Sequence, residues 1–335
     1  MSDCPPFRSV GIAGGGAWGT ALALLAAENG HRVTLWAREE STVLSINTDR
    51  ENAVFLPGVR LPETIHAETG MGAMGGCDVV LMVAPTQFVR SVCAGLKDAV
   101  PDHVPVVICA KGIEQSSLKL PAEIVADVLP ENPLAILSGP SFAADVARGL
   151  PTAVTLAIGD QAVGHRIVQA LGRTTFRIYL SDDLVGAQIG GATKNVLAIA
   201  CGIVAGRGLG DSARAALIAR GFAEMQRLAL PLGAKAQTLA GLSGLGDLIL
   251  TCNGVQSRNM SLGMALGQGQ KMAEILAQKK SVAEGVYTAD AVTRLAKRHG
   301  IDMPICCAVR DIVQERTTVD EAIEDLLNRP LVPES

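Results

Sequence analysis

The sequence predicts an α/β chain, in which a mostly parallel sheet covered by helices on both faces is followed by an all-helical second half. From Arg8 to Leu180 short β-branched runs alternate with helical stretches, the pattern of parallel strands joined by helical crossovers. After Asp182-Asp183 that pattern stops, and the rest reads as helices with Gly-rich joints such as Gly206–Gly210 and Gly241–Gly246. The length, 335 residues with 48% hydrophobic content, suits two domains of about 150 residues each and a large core. The boundary is expected near Asp183–Gly186, dividing residues 1–185 from 186–335.

Taken in order, strands are expected at Ser9–Ala13, Arg32–Trp36, Val79–Val83, Val104–Cys109, Leu134–Leu137, Thr152–Ile158 and Thr175–Leu180. Each is a short apolar, β-branched run bounded by polar or turn-forming residues. Helices are expected between them at Trp18–Asn29, Glu39–Asn47, Gln87–Asp98, Leu118–Val128 and Gln161–Leu171. The stretch Asp290–Leu327 supplies amphipathic helices broken at Gly300 and Pro304. No period of a repeat architecture is visible.

Composition narrows the function. A net charge of −4 with no block of Lys or Arg lacks the footprint of a nucleic-acid or anionic-membrane binder. Aromatic residues make up only 3%, leaving little on which to stack bases. The eight cysteines are scattered without C-x-x-C spacing or nearby His, so they read as reduced core residues, and no metal site is expected. The amino terminus lacks the basic-then-apolar pattern of a secretory signal, and a cytoplasmic location is expected. The most apolar stretch, Val185 to Gly206, is interrupted by Lys194-Asn195 and rich in Gly, and a buried helix fits it better than a membrane span.

The first strand runs into Gly14-Gly15-Gly16-Ala17-Trp18-Gly19, a G-x-G-x-x-G followed by a helical run. In that setting the first Gly makes the tight turn, the second lets a pyrophosphate approach the backbone, and the third lets helix and strand pack closely. The helix amino terminus offers free N–H groups to the phosphates. Strand, helix and second strand all fall where a dinucleotide-binding βαβ unit requires them, so the first half reads as a Rossmann-type domain. At the end of the second strand Arg38 offers a guanidinium to a 2′-phosphate; a solvated arginine is the alternative, and Glu39 beside it argues the other way. NADP is therefore favoured and NAD admitted.

Strands of such a sheet deliver functional residues at their carboxyl ends, here Val83-Ala84-Pro85, Ala110-Lys111-Gly112 and Ser138-Gly139-Pro140-Ser141-Phe142. Lys111 is placed at the crevice edge, with an ordinary surface lysine as the alternative. Lys194 is the only ionisable residue between Asp183 and Arg207. Burial lowers a lysine's pKa and makes it a proton shuttle near neutrality; the alternative is a lysine snorkelling at a helix edge. Asp247, in the Gly-rich stretch Gly241–Thr251, is a partner for Lys194 or else a helix cap. Ser257-Arg258-Asn259 sets a hydroxyl, a guanidinium and an amide in a row, a plausible phosphate grip. None of the five histidines is an obvious catalytic base.

These peptides together resemble the bacterial NAD(P)-dependent sn-glycerol-3-phosphate dehydrogenases. The matching segments are Gly14–Ala23, Leu35–Arg38, Ala110–Glu114, Ser138–Ala143, Gly191–Ala200, Gly244–Cys252, Ser257–Asn259 and Val282–Val286, in that order. The resemblance implies a helical second domain like that of 6-phosphogluconate dehydrogenase, and a homodimer. It implies that Lys194 is the proton-transfer lysine, with Lys111 and Asp247 beside it. Lys111, Gly139, Ser141, Lys194, Asp247, Ser257, Arg258 and Asn259 would form the glycerol-phosphate site. Gly14, Gly16, Ala17 and Gly19 in the turn, together with Trp18, Arg38, Lys111, Ala143, Arg258, Val282 and Glu284, would contact NADP(H) or NAD(H). Ala17 stands where the family usually has a hydroxyl residue, and Gln188 where a glutamate is common. The activity implied is reduction of dihydroxyacetone phosphate to sn-glycerol 3-phosphate for glycerophospholipid synthesis. The alternatives are a β-hydroxy-acid or sugar-acid dehydrogenase of the same layout, and a nucleotide-binding regulator without catalysis.

Overall fold

The computed structural model of the chain describes residues 6–278 and 283–330. Its first half carries β1 (Ser9–Ala13), α1 (Ala17–Glu28), β2 (Arg32–Trp36), α2 (Glu40–Leu44), β3 (Glu51–Asn52), β4 (Leu56–Arg60), β5 (Ile65–Glu68), β6 (Val79–Met82) and α3 (Val89–Leu96). It continues through β7 (Val106–Ile108), α4 (Pro121–Val128), β8 (Leu134–Ser138), α5 (Ala143–Ala147), β9 (Thr152–Ile158), α6 (Gln161–Leu171) and β10 (Phe176–Ser181). Eight strands form one sheet in the order β10-β9-β8-β7-β6-β1-β2-β5, and β3 and β4 pair separately. Every neighbour in the large sheet is parallel except β8 with β9. The central strands β1, β6 and β7 are buried along their whole length because apolar side chains pack on both faces. The chain leaves β1 toward β2 and returns on its other side at β6, so the crevice beyond the carboxyl ends of β1 and β6 is the switch point where such sheets bind ligands.

All seven expected strands are present, six of them within one residue at each end. The expected Val104–Cys109 shrinks to Val106–Ile108, the part that pairs with both neighbours. The region between Ser45 and Glu68, expected to hold no strand, contributes β3, β4 and the sheet edge β5. These are two to five residues long and lack a sustained apolar run, so local pattern does not mark them. The expected helix Glu39–Asn47 is the short α2 continued by a π-turn over Ser45–Asp49. The expected helix start at Leu118 moves to Pro121, because Leu118 adopts φ 63° and Pro121 is suited to a first helical turn.

The second half is helical: α7 (Leu184–Gly206), α8 (Asp211–Ala229), α9 (Ala236–Ala240), α10 (Asp247–Asn253), α11 (Arg258–Gly267), α12 (Met272–Gln278), α13 (Glu284–Arg298), α14 (Pro304–Val313) and α15 (Val319–Leu327). By length and composition α7 could cross a membrane, but Gly186 to Ile203 are buried without interruption inside the protein. It starts at Asp183, whose carboxylate accepts the Gly186 N–H at 2.8 Å and, from α9's approach, the Lys235 N–H at 2.7 Å. Along α7 and α11 the backbones touch. A Cβ on Gly202 would lie 2.2 Å from the Met260 carbonyl, and one on Gly263 would lie 2.0 Å from that of Ile199. Gly206 and Gly267 repeat the contact one turn on. The seven described cysteines carry free thiols.

Candidate active site

The turn after β1 has the shape a dinucleotide needs. Gly14 adopts φ 141°, and a Cβ there would strike the Val83 carbonyl carbon at 2.9 Å. A Cβ on Gly19 would come within 1.9 Å of the Gly14 carbonyl oxygen, so only glycine lets α1 pack this closely. At Gly16, by contrast, nothing lies within 4 Å of the Cβ position. Gly16 is also the N-cap of α1 and brings no capping side chain, so open space faces a helix amino terminus. Ala17, the first residue of α1, adds no hydroxyl. Trp18 packs half-buried against the sheet core. Ala143 begins α5, which lies against α1. Arg38 is exposed just past β2 and is held by Glu39. Buried Asn52 donates to the Gly15 carbonyl at 2.9 Å and to Thr20 Oγ1 at 2.7 Å, fixing the turn from β3.

Across the crevice two lysines meet one carboxylate. Lys111, in the loop after β7, donates from Nζ to Asp247 Oδ2 at 2.7 Å and to the Gly139 carbonyl at 3.1 Å. Lys194, in the middle of α7, donates to Asp247 Oδ1 at 2.5 Å and to Thr251 Oγ1 at 2.9 Å. Asp247 is 1% exposed and opens α10, after a tight π-turn over Leu242–Gly246 in which a Cβ on Gly244 would lie 2.0 Å from the Leu239 carbonyl. Thr251 sits one turn further along α10 and its hydroxyl donates a hydrogen bond to the Asp247 carbonyl at 2.6 Å. Burial lowers the Lys194 pKa to about 8 against the pull of Asp247, and the charge of Lys111 adds to the lowering. An ammonium has three N–H donors. With two named partners at each lysine, one N–H of each is left for a ligand oxygen beside them.

Gly139 adopts φ 151° at the end of β8, and its carbonyl also accepts from Ser141 Oγ at 3.2 Å. Ser257 is the N-cap of α11 and accepts the Met260 N–H at 3.2 Å, which leaves its own hydroxyl proton to donate. Arg258, the exposed first residue of α11, and Lys111 both act electrostatically on Glu284, whose carboxyl burial pushes up and these cations draw down. Glu284 Oε1 accepts the Thr86 N–H at 2.8 Å, joining α13 to the loop after β6. Asn259 is committed internally: its Nδ2 donates to Asn195 Oδ1 at 2.9 Å, and its Oδ1 accepts the Gly285 N–H at 3.0 Å. Asn195 in turn donates to the Lys111 carbonyl at 3.1 Å. Val282 lies outside the described residues.

Comparison with known proteins bears directly on this site. A family model described as the NAD-dependent glycerol-3-phosphate dehydrogenase N-terminus matches residues 9–164, and its C-terminus counterpart matches 183–324. The chain belongs to the NAD-dependent glycerol-3-phosphate dehydrogenase family. The NAD(P)+ glycerol-3-phosphate dehydrogenase of Maricaulis maris is 54% identical over 329 residues, 98% of this chain and 99% of its own. That of Rhodospirillum rubrum is 55% identical over 323 residues, covering 96% and 93%. The crystal structure of glycerol-3-phosphate dehydrogenase from Coxiella burnetii superposes with a TM-score of 0.94 at 39% identity, covering 97% of this chain and 100% of its own. The protein is thus an NAD(P)-dependent dehydrogenase acting on a small molecule.

Within this glycerol-3-phosphate dehydrogenase fold, sequence reasoning missed three polar side chains. Thr251 carries a signal in hindsight, standing four residues after Asp247 and so on the same face of α10. Asn195 carries one too, standing next to Lys194 as a polar residue in a mostly apolar helix. Asn52 had no signal, since β3 itself was not expected. At Gln188 the amide replaces any charge pairing: Oε1 accepts the Ala122 N–H at 2.8 Å, and Nε2 donates to the Leu184 carbonyl at 2.9 Å.

Proposed function

We propose that the protein reduces dihydroxyacetone phosphate to sn-glycerol 3-phosphate with NADPH or NADH, at the head of glycerophospholipid synthesis. The observation that carries this reading is the cluster of Lys111, Asp247 and Lys194, one carboxylate between two lysines that each keep a donor for the substrate oxygen. Gly14, Gly16 and Gly19 with the α1 amino terminus would hold the pyrophosphate, flanked by Ala17, Trp18 and Ala143. Arg38 would meet a 2′-phosphate, which tilts the preference toward NADP(H). A bound reduced nicotinamide supplies hydride to the ketone carbon.

Lys194 gives its proton to the oxygen as negative charge develops there, and in the reverse direction the neutral lysine takes it back. Lys111 keeps positive charge beside the same oxygen. Asp247 orients both ammonium groups. Arg258, with the Ser257 hydroxyl and the amino terminus of α11, grips the phosphate and so fixes the ketone. Asn259 acts by bracing that helix against Asn195. Gly139 and Ser141 line the Lys111 side.

We further propose a division close to 185/186, just past the break between the end of β10 at Ser181 and the start of α7 at Leu184. A cytoplasmic homodimer that neither enters membranes nor binds nucleic acid fits the net charge of −4 and the buried state of α7. Initial rates of NADPH and NADH consumption test the reading. Turnover with dihydroxyacetone phosphate is expected. Activity on β-hydroxy or sugar acids without it, or cofactor binding without turnover, overturns the proposal.

A further inference from the structure

We propose that Glu39 sets the balance between NADPH and NADH by competing with the 2′-phosphate for the Arg38 guanidinium. The inference rests on the proposed cofactor site and deepens it. The segment after β2 is anchored at the phosphate turn: the Gly14 N–H donates to the Trp36 carbonyl at 3.1 Å, and a Cβ on Gly15 would lie 2.5 Å from Ala37 Cβ. Ala37 is tied to the neighbouring strand through the Glu68 carbonyl at 3.0 Å. Arg38 therefore leaves the backbone at a fixed point one residue past this anchor, where the adenosine half of a dinucleotide runs.

Its guanidinium is already engaged. Nε and Nη2 donate to the same oxygen, Glu39 Oε1, at 3.0 and 2.7 Å. That is the edge of the fork best suited to two phosphate oxygens. Glu39 makes no capping hydrogen bond to α2, so no hydrogen bond ties its carboxylate to that helix. Glu40 adds a second exposed negative charge. A 2′-phosphate must displace or share the Glu39 contact and meet its repulsion. A ribose 2′-hydroxyl leaves the pair closed. The pair is exposed, with side chains 73% and 44% accessible, so the competition is weak and works as a trim on selectivity.

The test is direct binding of adenosine 2′,5′-bisphosphate and adenosine 5′-monophosphate to the whole protein by calorimetry. In Glu39→Gln the preference for the bisphosphate over the monophosphate should rise by about two- to five-fold, and NADPH over NADH in kcat/KM by a similar factor. Glu39→Gln on an Arg38→Ala background should shift it less. An unchanged preference in Glu39→Gln, while Arg38→Ala loses it, overturns the role of Glu39 and leaves that of Arg38 standing. If Arg38→Ala itself leaves the bisphosphate preference intact, both fall.

Discussion

Lys194 is where pH should act most directly. Its pKa is about 8, because burial and the Lys111 charge outweigh the attraction of Asp247. Reduction needs the protonated form, so kcat for dihydroxyacetone phosphate should fall as pH rises through about 8, and oxidation of glycerol 3-phosphate should rise over the same span. Removing the carboxylate with Asp247→Asn takes away the only attraction of that size, so both inflections should move to lower pH in paired pH–rate profiles. Lys194→Ala should cut turnover by about two to four powers of ten while calorimetry still detects cofactor binding. A variant keeping a large share of wild-type rate would remove the assigned proton donor. Arg258→Ala should lower kcat/KM on dihydroxyacetone phosphate by about two orders of magnitude or more, through kcat as well as KM, because the phosphate is a remote handle that positions the ketone. Unphosphorylated dihydroxyacetone should be a poor substrate for both proteins and distinguish them little; an equal loss on both would make Arg258 structural.

At the scale of elements the phosphate turn offers a controlled comparison. Gly16 has φ −76° and open space at its Cβ position, so Gly16→Ala should leave thermal stability unchanged or raise it by about 0.4–1 kcal/mol while weakening cofactor binding. Gly19→Ala should lower the melting temperature as well, since its methyl would collide with the Gly14 carbonyl. Melting curves with and without cofactor separate the two. This turn was fully legible because the three glycines, the strand and the helix state one geometry together. The edge strand β5 was not, because four residues with a half-buried pattern are stabilised by pairing with β2, a partner that local sequence does not reveal. In the active site, Lys194 was readable as a lone charge in an apolar helix. The sharing of Asp247 with Lys111 was not, since it joins positions 136 residues apart.

Across the whole molecule, several polar contacts among the described residues that join the sheet half to the helical half converge on the loop after β7. Asn195 holds the Lys111 carbonyl, Arg294 holds that of Gln115 at 3.0 Å, and Gln188 caps α4 from α7. Gln188→Leu removes an acceptor from the Ala122 N–H and should destabilise the protein by about 1–3 kcal/mol, seen as a lower urea midpoint with the slope retained. Gln188→Glu keeps the acceptor and should lose less. An unchanged midpoint in Gln188→Leu would mean that water replaces the amide without cost.

The glycine contacts between α7 and α11 have a metric consequence. One helix carries Lys194 and the other begins at Arg258, and at the Gly202–Gly263 and Gly206–Gly267 crossings backbone rests on backbone. Interiors packed in this way yield little to pressure or strain. The backbone points from which Lys194 and Arg258 leave their helices are therefore held at one spacing. On the proposed reading, a ketose phosphate with one more carbon between carbonyl and phosphate should turn over more slowly, because the spacing of two helices as well as the side chains that touch the substrate would then measure its length.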